Sequence, residues 1–310
     1  MNSINFVMLG DPAIAASFGK KGTSTDLTLY DKKESGTIRT WVTPNGFPEK
    51  IQPLMQAINL AEYVIVHVST LDKFVGEQVL ALDMLGKKDG ILSHAYKVDE
   101  KRLESMIKGT VLEQYQRTNT DGLRMMISKF KPIERSSPVR VVIDHCFDVK
   151  GAGTVILGKV ESGLIKQYDT LKLLPKGVDV LIKSIQMHDD PVEDAHSPAR
   201  VGLSIKGASV DEISRGDLLC SGDPPQIATR VELDFVKNKF YKGEFTTGQM
   251  CLVSIGLQIR PAKFSSIDPV SLIFDRPIVY DKDDTCVILK PESETVRILG
   301  SGSIRILKSL

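Results

Sequence analysis

Gly10 closes a short apolar run, Asn5–Leu9, and Ser17 stands one helical stretch further on. That spacing is the outer frame of G-x-x-x-x-G-K-[ST]. In such a loop the backbone N–H groups wrap phosphates, the lysine meets the β/γ-phosphates and the hydroxyl holds Mg²⁺. Here the second glycine is Ala15 and the lysine is Ala16. Pro12 lacks an N–H and Ala15 resists positive φ, so the expected loop is not a phosphate cradle. Just beyond, Gly19-Lys20-Lys21-Gly22-Thr23 sets two lysines between glycines, which is the composition of an alternative anion loop. A solvated basic turn accounts for the same residues.

His67, His94, His188 and His196 have no mutual metal spacing, and no Ser/His/Asp arrangement is visible. Cys146 beside His145 is not a ligand pair, because neighbouring strand residues face opposite ways.

These residues need elements to hold them. At about 100–200 residues per domain, 310 residues hold two or three domains. Apolar residues make up 42% and charged residues 25%, which excludes global disorder. No apolar run reaches the ~20 residues of a membrane helix, and no secretory signal is visible. Four scattered cysteines read as reduced thiols, so the expected location is cytoplasmic, with no membrane partner. A net charge of +1 gives no general nucleic-acid signature, and no DNA partner is expected.

Up to residue 132, β-like runs (Asn5–Leu9, Ile38–Val42, Tyr63–Val68, Ile91–Ser93) alternate with helical spacing over Ile51–Asn59, Phe74–Leu85, Glu100–Ile107 and Leu123–Lys129. The alternation predicts an α/β layer with a mainly parallel sheet. From Val139, short β-branched segments between Gly, Pro and Asp turns predict closed antiparallel barrels. The expected domains are 1–132, 137–222 and 226–308.

The stretch Ile143-Asp-His-Cys-Phe-Asp-Val-Lys-Gly-Ala-Gly-Thr154, continuing through Gly163, Lys183–Gln186, Arg200–Leu203 and Ile213–Leu218, closely resembles the second domain of Tu/SelB-type translation elongation factors. The likeness is nearest to archaeal SelB, which is specific for selenocysteyl-tRNA. The overall plan also resembles a SelB-like factor suggested for delivering pyrrolysine. The resemblance implies an α/β P-loop-GTPase-like domain followed by two antiparallel β-barrels, with GTP and Mg²⁺ as family ligands.

Held against that family, the nucleotide motifs depart. The D-x-P-G element falls on Val42-Thr43-Pro44-Asn45, and Gly46 stands at the catalytic histidine. The guanine-reading N-K-x-D falls on Ser93-His94-Ala95-Tyr96, and S-A-[KL] on Arg117-Thr118-Asn119. Phosphoryl transfer rests on positioning and charge neutralisation, so these losses imply a site without an active GTPase and with impaired GTP binding.

The family holds the tRNA acceptor end between the first two domains. Carried over, that pocket comprises Asp144, His145, Phe147, Leu157 and Arg200. By this resemblance Phe147 stacks near the 3′ adenine, while His145 and Arg200 form a cationic corner. With eight residues after Gly302, a fourth RNA-binding domain like that of SelB is not expected within these residues. The implied function is a SelB/Tu-like factor binding aminoacyl-tRNA and the ribosome. Two other readings use the same residues: a working GTPase with an unusual nucleotide loop, and a protein-binding scaffold or regulator.

Overall fold

The computed structural model describes residues 1–305; the last residues of the expected 226–308 domain, 306–308, lie outside the described residues. The first part runs β1 (Asn2–Leu9), α1 (Pro12–Phe18), β2 (Lys20–Ser24), β3 (Leu27–Glu34), β4 (Thr37–Pro44), α2 (Gln52–Leu60), β5 (Tyr63–Val68), α3 (Lys73–Met84), β6 (Gly90–His94), α4 (Glu100–Ile107), β7 (Gln116–Thr118) and α5 (Leu123–Ile127). Its sheet is ordered β2-β3-β4-β1-β5-β6-β7. The strands from β4 to β7 are parallel, whereas β2 and β3 are antiparallel additions at one edge. The sheet is therefore mixed. Lys20–Glu34 carries polar residues and turn signals, which hid the largely exposed β2 and the half-buried β3.

β1 and β5 are buried along almost their whole length, which explains their largely apolar composition. One face of the sheet packs Phe6, Trp41 and Tyr63 with Phe18 of α1. The other packs on α2, α3 and α4, and that core continues into both barrels through Val142, Leu218, Leu257 and Val287.

The first barrel uses β8 (Val139–Val149), β9 (Gly153–Ser162), β10 (Leu164–Lys166), β11 (Thr170–Leu174), β12 (Val178–Met187), β13 (Asp190–Val192), β14 (Asp194–His196), β15 (Arg200–Lys206) and β16 (Leu218–Ser221). The order β11-β16-β8-β9-β15-β12 closes because β12 also pairs with β11. Alternate residues such as Ile156, Val180, Ile182, Leu203 and Ile205 fill its interior. The second barrel, β17 (Gln226–Lys237), β18 (Met250–Ile255), β19 (Gln258–Ile267), β20 (Val270–Tyr280), β21 (Thr285–Leu289) and β22 (Ile298–Arg305), closes in the order β17-β20-β19-β18-β21-β22. Among the described residues no helix is long and apolar enough to cross a membrane.

Polar contacts join the parts. Lys159 on β9 donates to Glu62 Oε1 and to the Leu60 carbonyl, each at 2.9 Å, with both charged side chains buried. Gln56 Nε2 donates to the Leu257 carbonyl at 2.9 Å, and Asn59 Nδ2 to Gly256 at 2.8 Å. The barrels meet where Arg260 Nη2 approaches Asp217 Oδ1 at 3.4 Å.

Burial pushes the Asp217 carboxyl up to about 6, against the opposing effects of the Ser214 N–H and Arg260. Between about pH 4 and 6 the folded chain therefore keeps a proton that the unfolded chain has released, so this group's contribution to stability falls as pH rises through that window. Asp217→Asn should flatten the pH dependence of thermal stability there by on the order of 1–3 kcal/mol. Thermal melts of the parent and variant from pH 4.5 to 7.5 check this.

Candidate functional site

The loop after Gly10 is replaced by an immediate helix. Gly10 takes φ +108°, and a Cβ there would stand 2.0 Å from the His67 carbonyl oxygen, so this glycine serves close approach of β1 to β5. Asp11 is the N-cap of α1: its Oδ1 accepts from the Ala13 N–H at 2.9 Å. A carboxylate thus lies against the helix N-terminus where a phosphate would be held. Ala15 is buried in the core beneath α1, and Ala16 is exposed. The Ser17 hydroxyl donates back to the Ile14 carbonyl at 2.7 Å.

The other strand ends are also engaged in structural contacts. Val42 is fully buried. Asn45 Nδ2 donates to the Thr25 carbonyl at 3.2 Å and to Thr28 Oγ1. The Gly46 N–H donates to the Asp26 carbonyl at 3.1 Å. Ser93 Oγ is 2.9 Å from His67 Nδ1, and burial pulls that imidazole below its ordinary value although Asp11 opposes the shift. His94 Nδ1 donates to the Ala95 carbonyl at 3.1 Å, and its Nε2 lies 3.6 Å from Glu100. Tyr96 is fully exposed.

Gly19–Thr23 requires a correction. It is not a loop: Lys20–Ser24 forms the edge strand β2, pairing Lys20 with Asp31 and Lys21 with Tyr30. The pairing is regular at Lys20 and Lys21, and the register shifts before Ser24, which pairs with Thr28. Lys20, Lys21, Gly22 and Thr23 instead border a different space, a cleft of about 560 Å³ between β2–β4 and the first barrel. Phe147, Leu157 and Arg200 line its opposite wall.

The barrel wall follows from the pairing of β8 with β9. A register shift between Ile143 and His145 sets His145 opposite Leu157, and Phe147 opposite Val155. These residues share one sheet face. Phe147 is 39% exposed at the cleft, an aromatic ring left open to solvent. His145 stands on the same face but does not border the cleft. Asp144 is buried and forms an ion pair with Arg200 Nη1. Two of the five carried-over residues are therefore partners of each other. The other guanidinium N–H groups of Arg200 have no protein partner among the described residues.

Sequence reasoning missed His188 and Asp189, which also border the cleft with Gln186. Both have positive φ, +51° and +66°, in the tight turn joining β12 to β13. The run His188-Asp189-Asp190 between β-like residues is the available signal, since Asp tolerates the left-handed turn conformation. Lys33 on β3 reaches Asp190 Oδ2 at 2.5 Å, bridging the two walls. Among the described residues no cluster of three or more His, Cys, Asp or Glu could hold a metal.

Three comparisons bear on this geometry. Residues 153–220 match the family model described as elongation factor Tu domain 2. The chain is 32% identical to the uncharacterized protein MJ0325 of Methanocaldococcus jannaschii, over 94% of this chain and 96% of that one. It is 36% identical to elongation factor 1-alpha of Archaeoglobus fulgidus over 31% of this chain, spanning only 23% of the factor's length. In fold it is similar to the translation elongation factor SelB of Methanococcus maripaludis crystallised with a GTP analogue, with TM-score 0.83 and 20% identity over 99% of this chain and 80% of SelB.

Removing Asp144 leaves Arg200 as a nearly buried, unpaired cation. Asp144→Ala should cost about 3–5 kcal/mol, and Asp144→Ala/Arg200→Met distinctly less, because replacing both charges removes the orphan. Urea unfolding of both variants checks this.

Proposed function

We propose that the chain is a Tu/SelB-like translation factor that holds the acceptor end of an aminoacyl-tRNA in the cleft between β2–β4 and the first barrel, without using GTP. The observation that carries the reading is the convergence of Lys20, Lys21 and Arg200 with the open Phe147 ring on one cleft. A single-stranded RNA end presents phosphates and splayed bases, and it is held by cations along its backbone and aromatic rings beneath its bases. Lysines on the β2 edge neutralise phosphate. Arg200 is held in place by Asp144 and offers its remaining N–H groups to a phosphate, a carbonyl or the aminoacyl group. Phe147 supplies the stacking surface. The ribosome follows as a further partner from the family, and the cytoplasm as the place of action.

The family's GTP and Mg²⁺ do not fit the residues at the strand ends. The Asp11 carboxylate already caps α1, so a triphosphate would meet like charge where it needs N–H donors. No lysine stands at Ala16, the Ser17 hydroxyl is turned to its own helix, and exposed Tyr96 replaces the base-reading carboxylate. No phosphoryl-transfer step is routed through this site.

Filter binding with aminoacylated and deacylated tRNA tests the reading. Charged tRNA should bind, and Arg200→Ala should weaken it about ten- to hundred-fold, the cost of a charge-assisted hydrogen bond of about 1.5–3 kcal/mol. Phe147→Ala should cost about 1–3 kcal/mol with the salt dependence kept. Lys20→Ala/Lys21→Ala should lower the salt slope by about 1.4, two single-strand phosphate contacts at ~0.7 each. Calorimetry with GTP and Mg²⁺ should give no micromolar constant. Charged tRNA that ignores all these variants would contradict the assignment, and a parent chain that binds no tRNA would favour the scaffold reading.

A further inference from the structure

The turn after β4 is where the family's D-x-P-G element falls, and in GTPases the switch segments are ordered by γ-phosphate and Mg²⁺. Here Arg297 holds that turn directly, and Arg215 reaches it through Asp26. Arg297, just ahead of β22, donates Nη1 to the Pro48 carbonyl at 2.8 Å and to Glu49 at 3.3 Å. Its Nε donates to Glu77 Oε1 at 2.9 Å, and its Nη2 pairs with Glu77 Oε2 on α3. Both side chains of this fork are 11% exposed. Arg215, in the connection before β16, grips Asp26 with two parallel bonds, Nη1 to Oδ2 at 2.7 Å and Nη2 to Oδ1 at 2.9 Å. The carbonyl of Asp26 in turn accepts from Gly46.

Arg215 is also linked to the cleft, through Asp144 and Arg200. Its Nε donates to the Asp144 carbonyl at 3.0 Å, and the Asp144 carboxylate holds Arg200. A further bond to Gln56 Oε1 at 3.0 Å continues through Gln56 to the second barrel. Bidentate guanidinium–carboxylate pairs are geometrically specific, and shielded pairs persist at salt concentrations that screen exposed ones.

Resting on the aminoacyl-tRNA reading above, we propose that Arg215 and Arg297 are positioning residues that replace the nucleotide: Arg297 fixes the turn at Pro48 and Glu49, Arg215 braces it at Gly46 through Asp26, and together they keep the cleft assembled, so the acceptor end binds with no GTP-driven rearrangement. The cleft is permanently in its receiving arrangement, and release of the RNA must come from competition or from a partner rather than from hydrolysis.

The test measures an inter-domain distance by pulsed electron resonance between spin labels at Lys88→Cys and Lys282→Cys, both exposed positions, in a Cys146→Ser chain whose other three cysteines are buried. The same samples are titrated with charged tRNA. The parent should give one narrow distance, unchanged by GDP or a non-hydrolysable GTP analogue, and one tRNA affinity, equally unchanged. Arg215→Ala/Arg297→Ala should broaden and lengthen the distance and weaken charged tRNA at least about tenfold, with nucleotide restoring neither. The swapped pair Asp26→Arg/Arg215→Asp should recover the narrow distance, which a general loss of stability would not allow. Should the double-alanine chain fail to fold, Arg215→Lys and Arg297→Lys, which keep charge but lose the fork, take its place and should shift the distance partway. A distance or affinity in the parent that moves with nucleotide, or arginine variants that keep the narrow distance, overturns the proposal. A parent that binds no tRNA yet keeps a narrow, arginine-dependent distance sinks the aminoacyl-tRNA reading and leaves the clamp standing.

Discussion

Arg215 lies where the three domains converge, and its guanidinium bonds across the seam between the first domain and the first barrel. Its donors reach a carboxylate and an amide of the first domain, Asp26 and Gln56, and the backbone of the first barrel at Asp144. Burial alone would push the Asp26 carboxyl up. The hydrogen bonds and charge of Arg215 outweigh that, and hold it below the ordinary carboxylate range. The pair therefore stays ionised under all conditions in which the chain is folded near neutrality. Losing Asp26 would leave the Arg215 guanidinium with only the Asp144 carbonyl and the Gln56 amide as partners. Around this point the apolar core runs from α2 and α3 into both barrels without interruption. Area burial resists separation of the domains, and the arginine pairs bridge them.

The cleft inherits its chemistry from that geometry. An edge strand with two lysines faces a barrel sheet with an open aromatic ring, and the cation on the barrel side is steadied by a buried carboxylate. The chain's net charge of +1 gives no hint of this, because the basic character is local. The strand ends that would face a nucleotide show the opposite character. Their polar groups are spent on one another: Asp11 on its helix, Ser93 on His67, Asn45 on the Thr25 turn.

Much of this was legible in the sequence. The β-branched segments between turns in the barrels, the largely apolar runs of β1 and β5 and the helical spacing of α4 are all local patterns, and each element stands close to where the pattern placed it. The lost nucleotide motifs were visible as single residues, Ala16 and Tyr96. Two antiparallel edge strands were not, since Lys20–Ser24 is almost wholly polar and carries no inward alternation. That omission concealed the place of Lys20 and Lys21 on the cleft. Asp26 and Arg215 are 189 positions apart, and Glu77 and Arg297 are 220 apart. No local pattern links such pairs, because their partnership is made by the docking of whole domains.

The most direct measurement of the account is where a charged acceptor end lies on the nucleotide-free protein. An aminoacyl-tRNA carrying a photoreactive group at its 3′ terminus should, without GTP, cross-link to peptides containing Lys20–Thr23, Phe147 or Arg200, with yield unchanged by added GTP and Mg²⁺. Cross-links confined to the strand ends around Gly10 and Ser93, or to the second barrel alone, or appearing only when GTP is present, would contradict it.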